Sequence, residues 1–231
     1  NALSNVATEF TSLDDWETVV IENWVKEIFS MGEKIIKTSE FIDKNNSVAD
    51  KWDFETFTEK EIHDIPEVIK NVFKWRIDFD ERTISNETLE ELNTYDIERV
   101  EIIASGSSYF AWEVWTYWFK EISNLPCEVR ISSEFLYDTF IPNKKTLYIF
   151  LSQSWETADV RECIKIVKMK GCLTFWVVNV VWSTIARMCD MWLYSHAWIE
   201  VWVASTKNIV AQYWVLLLIA ISMWLKKDFE Y

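Results

Sequence analysis

Glycine is nearly missing from this sequence: 3 residues in 231, where an ordinary chain carries about 7%. Tight turns and close backbone approaches use glycine because, lacking a Cβ, it takes positive φ at no steric cost. Histidine (2) and proline (3) are also scarce, and the 4 cysteines, Cys127, Cys163, Cys172 and Cys189, show no C-x-x-C spacing. Neither a disulfide framework nor a zinc site is therefore expected, and the cysteines read as reduced, buried thiols. There is no uninterrupted run of 18 apolar residues: the longest stretch, Ile209 to Leu225, contains Gln212 and runs into Lys226-Lys227. With no N-terminal signal pattern either, the expectation is a soluble, cytoplasmic chain without a membrane partner. Basic residues are outnumbered 23 to 37, for a net charge of -14. That balance disfavours a nucleic-acid partner, although a local anion site built from backbone amides remains open.

What the sequence has in excess is tryptophan, 15 residues, placed where turn chemistry asks for glycine: "LDDWE", "IENWVKE", "FKWRID", "VVWSTIAR". A type I′ hairpin wants Asn-Gly, and "ENW" offers Asn-Trp. Reading every tryptophan but Trp118 as glycine would restore an ordinary glycine content. We therefore read most of them as glycine codons translated as tryptophan, as would follow from UGA, which encodes glycine in some bacterial genetic codes. Trp155, in the middle of the polar turn "SQSWETAD", is the sharpest case, because the backbone there must come close to any bound anion.

Along the chain, residues 1 to 45 read as short strands, "ETVVIEN", "VKEIFSM" and "EKIIKTSEF", too little sheet for a domain alone. Polar "DKNNSVADKWD" (43–53) marks the linker, bounded at residues 46–56. Residues 57–96 are leading helices: "FTEKEIHDIPEVIKNVFKWRI" is helical, with Pro66 predicting a helix start or a kink, and 83–95 is a polar connection with a short helical piece. From residue 97 to 231 apolar strands alternate with helices: 99–105, "CEVRIS", 146–152, "CLTFWVVNV" and "MWLYSH" as strands; 107–122, "FLYDTF", 156–170, "STIARMC" and the apolar stretch from Ser205 as helices or crossovers. Such alternation predicts an α/β fold, a five-stranded parallel sheet flanked by helices. Ligands of such sheets bind beyond the carboxyl ends of the strands, where "SGSSY", "SQSWET" and "AWIEVWVASTK" fall. Ser107, Ser152, Ser154 and Thr157 put hydroxyls at helix N-termini, where the macrodipole favours an anion; the plainer reading of any one is an N-cap. No metal set, nucleophile with base or carboxylate pair is legible at that edge, so no cofactor is expected. His63 and His196 read as structural.

Residues 57 to 231 resemble the first sugar isomerase (SIS) domain of the glutamine:fructose-6-phosphate aminotransferase, or glucosamine-6-phosphate synthase, family. "SGSSY" resembles the family's first phosphate-edge turn, "SQSWETAD" its S-Q-S-G-E-T-A-D loop, "NVVWSTIAR" its N-V-x-G-S-x-x-A-R segment and "AWIEVWVASTK" its A-G-x-E-x-G-V-A-S-T-K. Residues 1–45 resemble the end of its class II glutaminase domain. Each departure is Trp for family Gly. The resemblance implies a flavodoxin-like SIS fold in which Ser107, Ser152, Gln153, Ser154 and Thr157 hold fructose 6-phosphate through its phosphate while Ser108, Val203 and Ser205 line the sugar. It also implies a homodimer formed through SIS domains. The family's glutaminase cysteine and its catalytic acid–base residues have no counterpart here. The implied role is thus the substrate-binding part of a transferase that moves the glutamine amide nitrogen onto fructose 6-phosphate, with no catalytic residue in this stretch and no activity of its own. The alternatives are a lone SIS-domain sugar-phosphate sensor, or a stand-alone phosphosugar isomerase or deglycase with Glu200 as base.

Overall fold

The computed structural model describes residues 8–14, 16–23, 25–41, 51–78, 80–81, 83–152, 157–179, 188–202 and 204–229. The chain divides into two compact units, 1–50 and 51–231.

The first unit is antiparallel sheet. Strands β1 (Glu9–Phe10) and β5 (Glu40–Phe41) pair with each other, and β2 (Glu17–Glu22), β3 (Val25–Ser30) and β4 (Glu33–Ile35) form a meander. The β3–β4 turn holds Met31 at φ 50° and Gly32 at φ 87°, both left-handed as a two-residue hairpin with Ser30 opposite Glu33 requires. Asn23, opening the β2–β3 turn, has φ 50°.

The second unit begins with α1 (Phe57–Phe73), whose N-cap Thr56 accepts a hydrogen bond from the Glu59 amide. Pro66 neither starts nor ends this helix. The helix runs through it because Glu61, Val68 and Val72 keep one buried face on both sides of the ring. The helix stops at Lys74, and Trp75 follows at φ 68°. A short hairpin, β6 (Ile77–Asp78) with β7 (Thr83–Ile84), then leads to α2 (Glu87–Leu92), capped by the Asn86 side chain.

Next come β8 (Arg99–Ala104), α3 (Gly106–Ser123), β9 (Cys127–Ile131), α4 (Ser132–Tyr137), β10 (Thr146–Ser152), α5 (Ala158–Met169), β11 (Leu173–Val178), β12 (Met191–Tyr194) and α6 (Lys207–Phe229). The five strands form one parallel sheet in the order β12-β11-β10-β8-β9. Alternate residues face opposite sides, as period-two geometry demands. Val100, Ile102, Leu147, Ile149, Phe175 and Val177 join α1, α3 and α6 in one core layer. Ile103, Tyr148, Phe150, Trp176 and Val178 join α4 and α5 in the other. α6 is long and apolar enough to cross a membrane, but Ala211, Val215, Leu218 and Ile219 are fully buried in the first layer, so it serves as a core helix of this domain. The segment "STIARMC", read as a short helix, falls mostly outside the described residues.

Candidate functional site

In strand sequence the sheet order reads second, first, third, fourth, fifth, so the chain reverses direction of progress between β8 and β10. The connections leaving these two neighbours go to opposite faces, α3 to one and α5 to the other, and it is at such a reversal that an α/β sheet places its ligand crevice. This is the place where an α/β sheet offers two helix N-termini to one ligand.

Three strands end in serine at this edge. Ser105 follows β8, Ser132 follows β9 and Ser152 closes β10. The hydroxyls of Ser105 and Ser132 share a short hydrogen bond across the two loops, and the Cys163 thiol donates to the Ser132 carbonyl at 3.4 Å. Ser152 Oγ and Thr157 Oγ1 lie 3.1 Å apart, closing the β10–α5 loop at its base. Neither Ser105 nor Thr157 uses its side chain to cap its own helix, unlike Thr56 and Asn86 on α1 and α2. α4, whose N-cap is Ile131, likewise has no side-chain cap, so α3, α4 and α5 all start at this edge without one. Gly106, at φ 58°, turns the chain into α3, a conformation costly for any side chain.

Ser107 is exposed on the first turn of α3. Ser108 is buried, and its hydroxyl donates to Gln212 Oε1 at 3.3 Å, which ties the start of α3 to the second turn of α6. Of the residues expected to bind the sugar phosphate, Gln153, Ser154 and Val203 lie outside the described residues, as do Trp155 and Trp182.

Two carboxylates organise the loop before α6: Glu200, a candidate base in the alternative isomerase reading, lies within it, and Glu61 reaches it from α1. Glu200 Oε1 accepts from the amides of Thr206 (2.7 Å) and Asn208 (3.1 Å) and Oε2 from Ser205 Oγ (2.9 Å). It is the cap of α6, and those bonds occupy the carboxylate that an isomerase would need as a base. Ser205 Oγ in turn accepts from the Ile209 amide at 3.2 Å, so its hydroxyl is engaged in the same cap. Glu61, reaching across from α1 and only 2% exposed, accepts from the amides of Val201 (2.7 Å) and Trp202 (3.2 Å) and from Thr206 Oγ1 (2.7 Å). One turn on, Asp64 bridges Lys60 (2.9 Å) and the buried Lys207 (2.8 Å). Burial disfavours the Asp64 charge, but hydrogen bonds from Lys207 and then Lys60 outweigh it and hold its pKa below the ordinary carboxylate value.

The histidines sit away from any such pairing. His63 stacks on Phe54 with ring centroids 5.0 Å apart. His196 is pushed below the ordinary imidazole value by partial burial and by the Arg76 charge. Burial drives the thiols of Cys127, Cys163 and Cys189 up to about 12, which makes them packing groups rather than nucleophiles.

For Ser105, Ser132 and Glu200 the chain carried signals beyond those that marked Ser152. Each of the first three strands of the parallel sheet runs directly into Ser, which marks Ser105 and Ser132 as well as Ser152. Glu200 stands six residues ahead of the Thr206-Lys207 helix start, within reach for a cap. Glu61 had no local signal, because its partners are about 140 residues away.

Residues 94–222 match the family model of the SIS domain. A glutamine–fructose-6-phosphate aminotransferase (isomerizing) of Caldanaerobacter subterraneus is 38% identical over 219 residues, covering 93% of this chain and 36% of that protein. The enzyme of the same name from Buchnera aphidicola is 34% identical over 220 residues, 94% of this chain and 36% of its own length. Among solved structures, the C-terminal domain of glucosamine-fructose-6-phosphate aminotransferase from Francisella tularensis superposes with a TM-score of 0.70 at 29% identity, over 78% of this chain and 50% of that one. The chain thus spans little more than a third of the length of these curated relatives.

Proposed function

The chain belongs to the SIS-domain family, and from that premise we propose that residues 57–231 are the fructose-6-phosphate-binding part of a glutamine–fructose-6-phosphate aminotransferase. The observation that carries the reading is the crevice at the sheet's reversal point, where the hydroxyl-bearing turns of α3 and α5 meet with Ser107, Ser152 and Thr157 on them. The identity of about a third to relatives of that name, along more than nine-tenths of this chain, supports fructose 6-phosphate as the sugar phosphate. Gln153 and Ser154 complete the phosphate loop in this reading, and Ser108, Val203 and Ser205 bound the sugar. Residues 1–45 are the end of a glutaminase domain and 46–56 a linker, a division supported by the antiparallel meander and by the compact-unit boundary after Asp50.

Chemically, the crevice binds and orients. Backbone amides and hydroxyls at two helix starts suit a dianionic phosphate, and Glu200 is committed to the α6 cap. Amide-nitrogen transfer and ketose isomerisation need an ammonia source and an acid–base pair, which this reading assigns to other parts of the enzyme.

Titration calorimetry tests it directly. Fructose 6-phosphate should bind the 231-residue chain, unphosphorylated fructose should not, and Ser152→Ala should weaken the phosphosugar by roughly ten- to hundredfold, the worth of one hydrogen bond to a charged group. Equal binding of fructose and fructose 6-phosphate would remove the phosphate reading.

A further inference from the structure

After β12, residues 197–202 and 204–206 form neither helix nor strand, yet hydrogen bonds tie them down at both ends. The Asn179 side chain accepts from the Ala197 amide at 2.7 Å and donates to the Trp198 carbonyl at 2.6 Å. At the far end Glu200 caps α6 from within the loop. Between them the amides of Val201 and Trp202 point to Glu61, a residue of another element. We infer that Glu61 is a positioning residue that sets the shape of the 200–206 loop and, through it, the affinity of the crevice for a sugar phosphate. The affinity half of this inference rests on the function proposed above.

Burial is the first ground. A carboxylate 2% exposed is costly unless its oxygens are satisfied, and here all three donors come from this one loop and its junction with α6. On α1, Lys60 and Asp64 pair with each other, and Asp64 also pairs with Lys207. Glu61 therefore has no described ion-pair partner, and its hold is one of hydrogen-bond geometry.

Proton counting is the second. Thr206 Oγ1 lies 2.7 Å from Glu61 Oε2 and 2.9 Å from Glu200 Oε1, but a hydroxyl carries one hydrogen and can donate to only one carboxylate at a time. A glutamine at position 61 would resolve the competition. Its carbonyl would take both loop amides, its NH2 would donate to Thr206 Oγ1, and the hydroxyl hydrogen would be released to Glu200. Aspartate would keep the charge but fall one methylene short of the amides. The two substitutions separate charge from reach.

The third is location. Ser108 to Gln212 joins the start of α3 to α6, so the loop that Glu61 shapes lies beside a helix start that faces the crevice. Val203, which the family resemblance puts against the sugar, belongs to this loop, and Glu61 holds residues on either side of it.

The test uses the whole 231-residue chain with Glu61→Gln, Glu61→Asp and Glu61→Ala, read by calorimetry with fructose 6-phosphate and by hydrogen exchange at the Val201 and Trp202 amides. Glu61→Gln should keep affinity within about threefold and both amides protected, while Glu61→Asp should lose roughly tenfold or more in affinity and expose both amides to exchange. Glu61→Ala should match Glu61→Asp where it folds; where it does not, the Gln and Asp pair decides. Unchanged exchange and affinity in Glu61→Asp would overturn the inference, and so would a Glu61→Gln variant as impaired as Glu61→Asp, since keeping the reach and hydrogen-bond geometry would then not preserve the loop. If the unsubstituted chain binds no sugar phosphate, the crevice reading and the affinity half both fall. The exchange data still judge the hold on the loop separately.

Discussion

Of the eight non-glycine residues with positive φ among the described positions, four are tryptophans: Trp16 (70°), Trp52 (53°), Trp75 (68°) and Trp198 (56°). A Cβ in that region costs roughly 1–2 kcal/mol, which the cation–π contacts of Lys60 with Trp52 (4.6 Å) and Lys74 with Trp75 (5.3 Å) offset only in part. Trp75 is also 87% exposed directly after α1, the position where a helix stop favours glycine. At the other extreme, Trp112 and Trp176 are buried with no hydrogen-bond partner for the indole N–H among the described residues, a cost of about 1–3 kcal/mol each. Both groups fit the reading of these positions as glycine codons. Trp75→Gly should raise unfolding free energy by about 1 kcal/mol, as read from the urea midpoint at constant slope. Position 155 lies outside the described residues, and its prediction stands on the turn sequence alone. Trp155→Gly should tighten fructose 6-phosphate binding, and equal calorimetric affinity before and after would defeat the idea.

Between elements, the junction of α1 and α6 is made by charge as well as by apolar packing. Lys207 is 2% exposed and its ammonium reaches Asp64 at 2.8 Å. Asp64→Asn would leave that cation buried without its counter-ion, at a cost of about 2–3 kcal/mol at neutral pH. Because the folded pKa of Asp64 is lowered, its contribution is complete above the unfolded value of 3.8 and disappears as pH falls through the folded one. The stability gap between parent and Asp64→Asn should therefore narrow below about pH 4; a gap that stayed constant down to pH 2 in urea titrations would show that Asp64 acts otherwise. At the far end of α1, Arg76 donates to the carbonyls of Val72 (2.7 Å) and Tyr194 (2.6 Å), joining the helix end to β12. Burial brings this guanidinium down to about 10.

For the molecule as a whole, α3 leaves Phe110, Val114, Tyr117 and Trp118 exposed at spacings of four, three and one residues, which places them on one side of the helix. We propose this surface for the homodimer that the family resemblance implies. Sedimentation of the 231-residue chain should give a dimer, and the double variant Val114→Glu, Tyr117→Glu should give a monomer with unchanged circular dichroism; a parent that sediments as a monomer would rule the surface out. The same chain should produce no glucosamine 6-phosphate from fructose 6-phosphate and ammonia. Product would return Glu200 to consideration as a base.

The sequence by itself determined the five parallel strands, because uninterrupted apolar runs such as "TLYIFLS" suit only strands buried on both faces, and Thr146–Ser152 is found where that run lies. Strand-terminal serines before helical patterns likewise marked the β8 and β10 loops, since helix starts carry local chemistry. Pro66 does not start α1, because a ring that costs one hydrogen bond is outweighed by a buried face continuing on both sides of it, and that face exists only in the packed domain. The strand order was decided by tertiary structure alone: local patterns say that strands exist, not which are neighbours, and it is the adjacency of β8 and β10 that opens the crevice. The same holds for Glu61, an ordinary helix carboxylate in sequence. Its partners at 201, 202 and 206 approach only when α1 packs beside α6, and what makes it a positioning group is the low dielectric of that contact, where an unsatisfied charge is expensive.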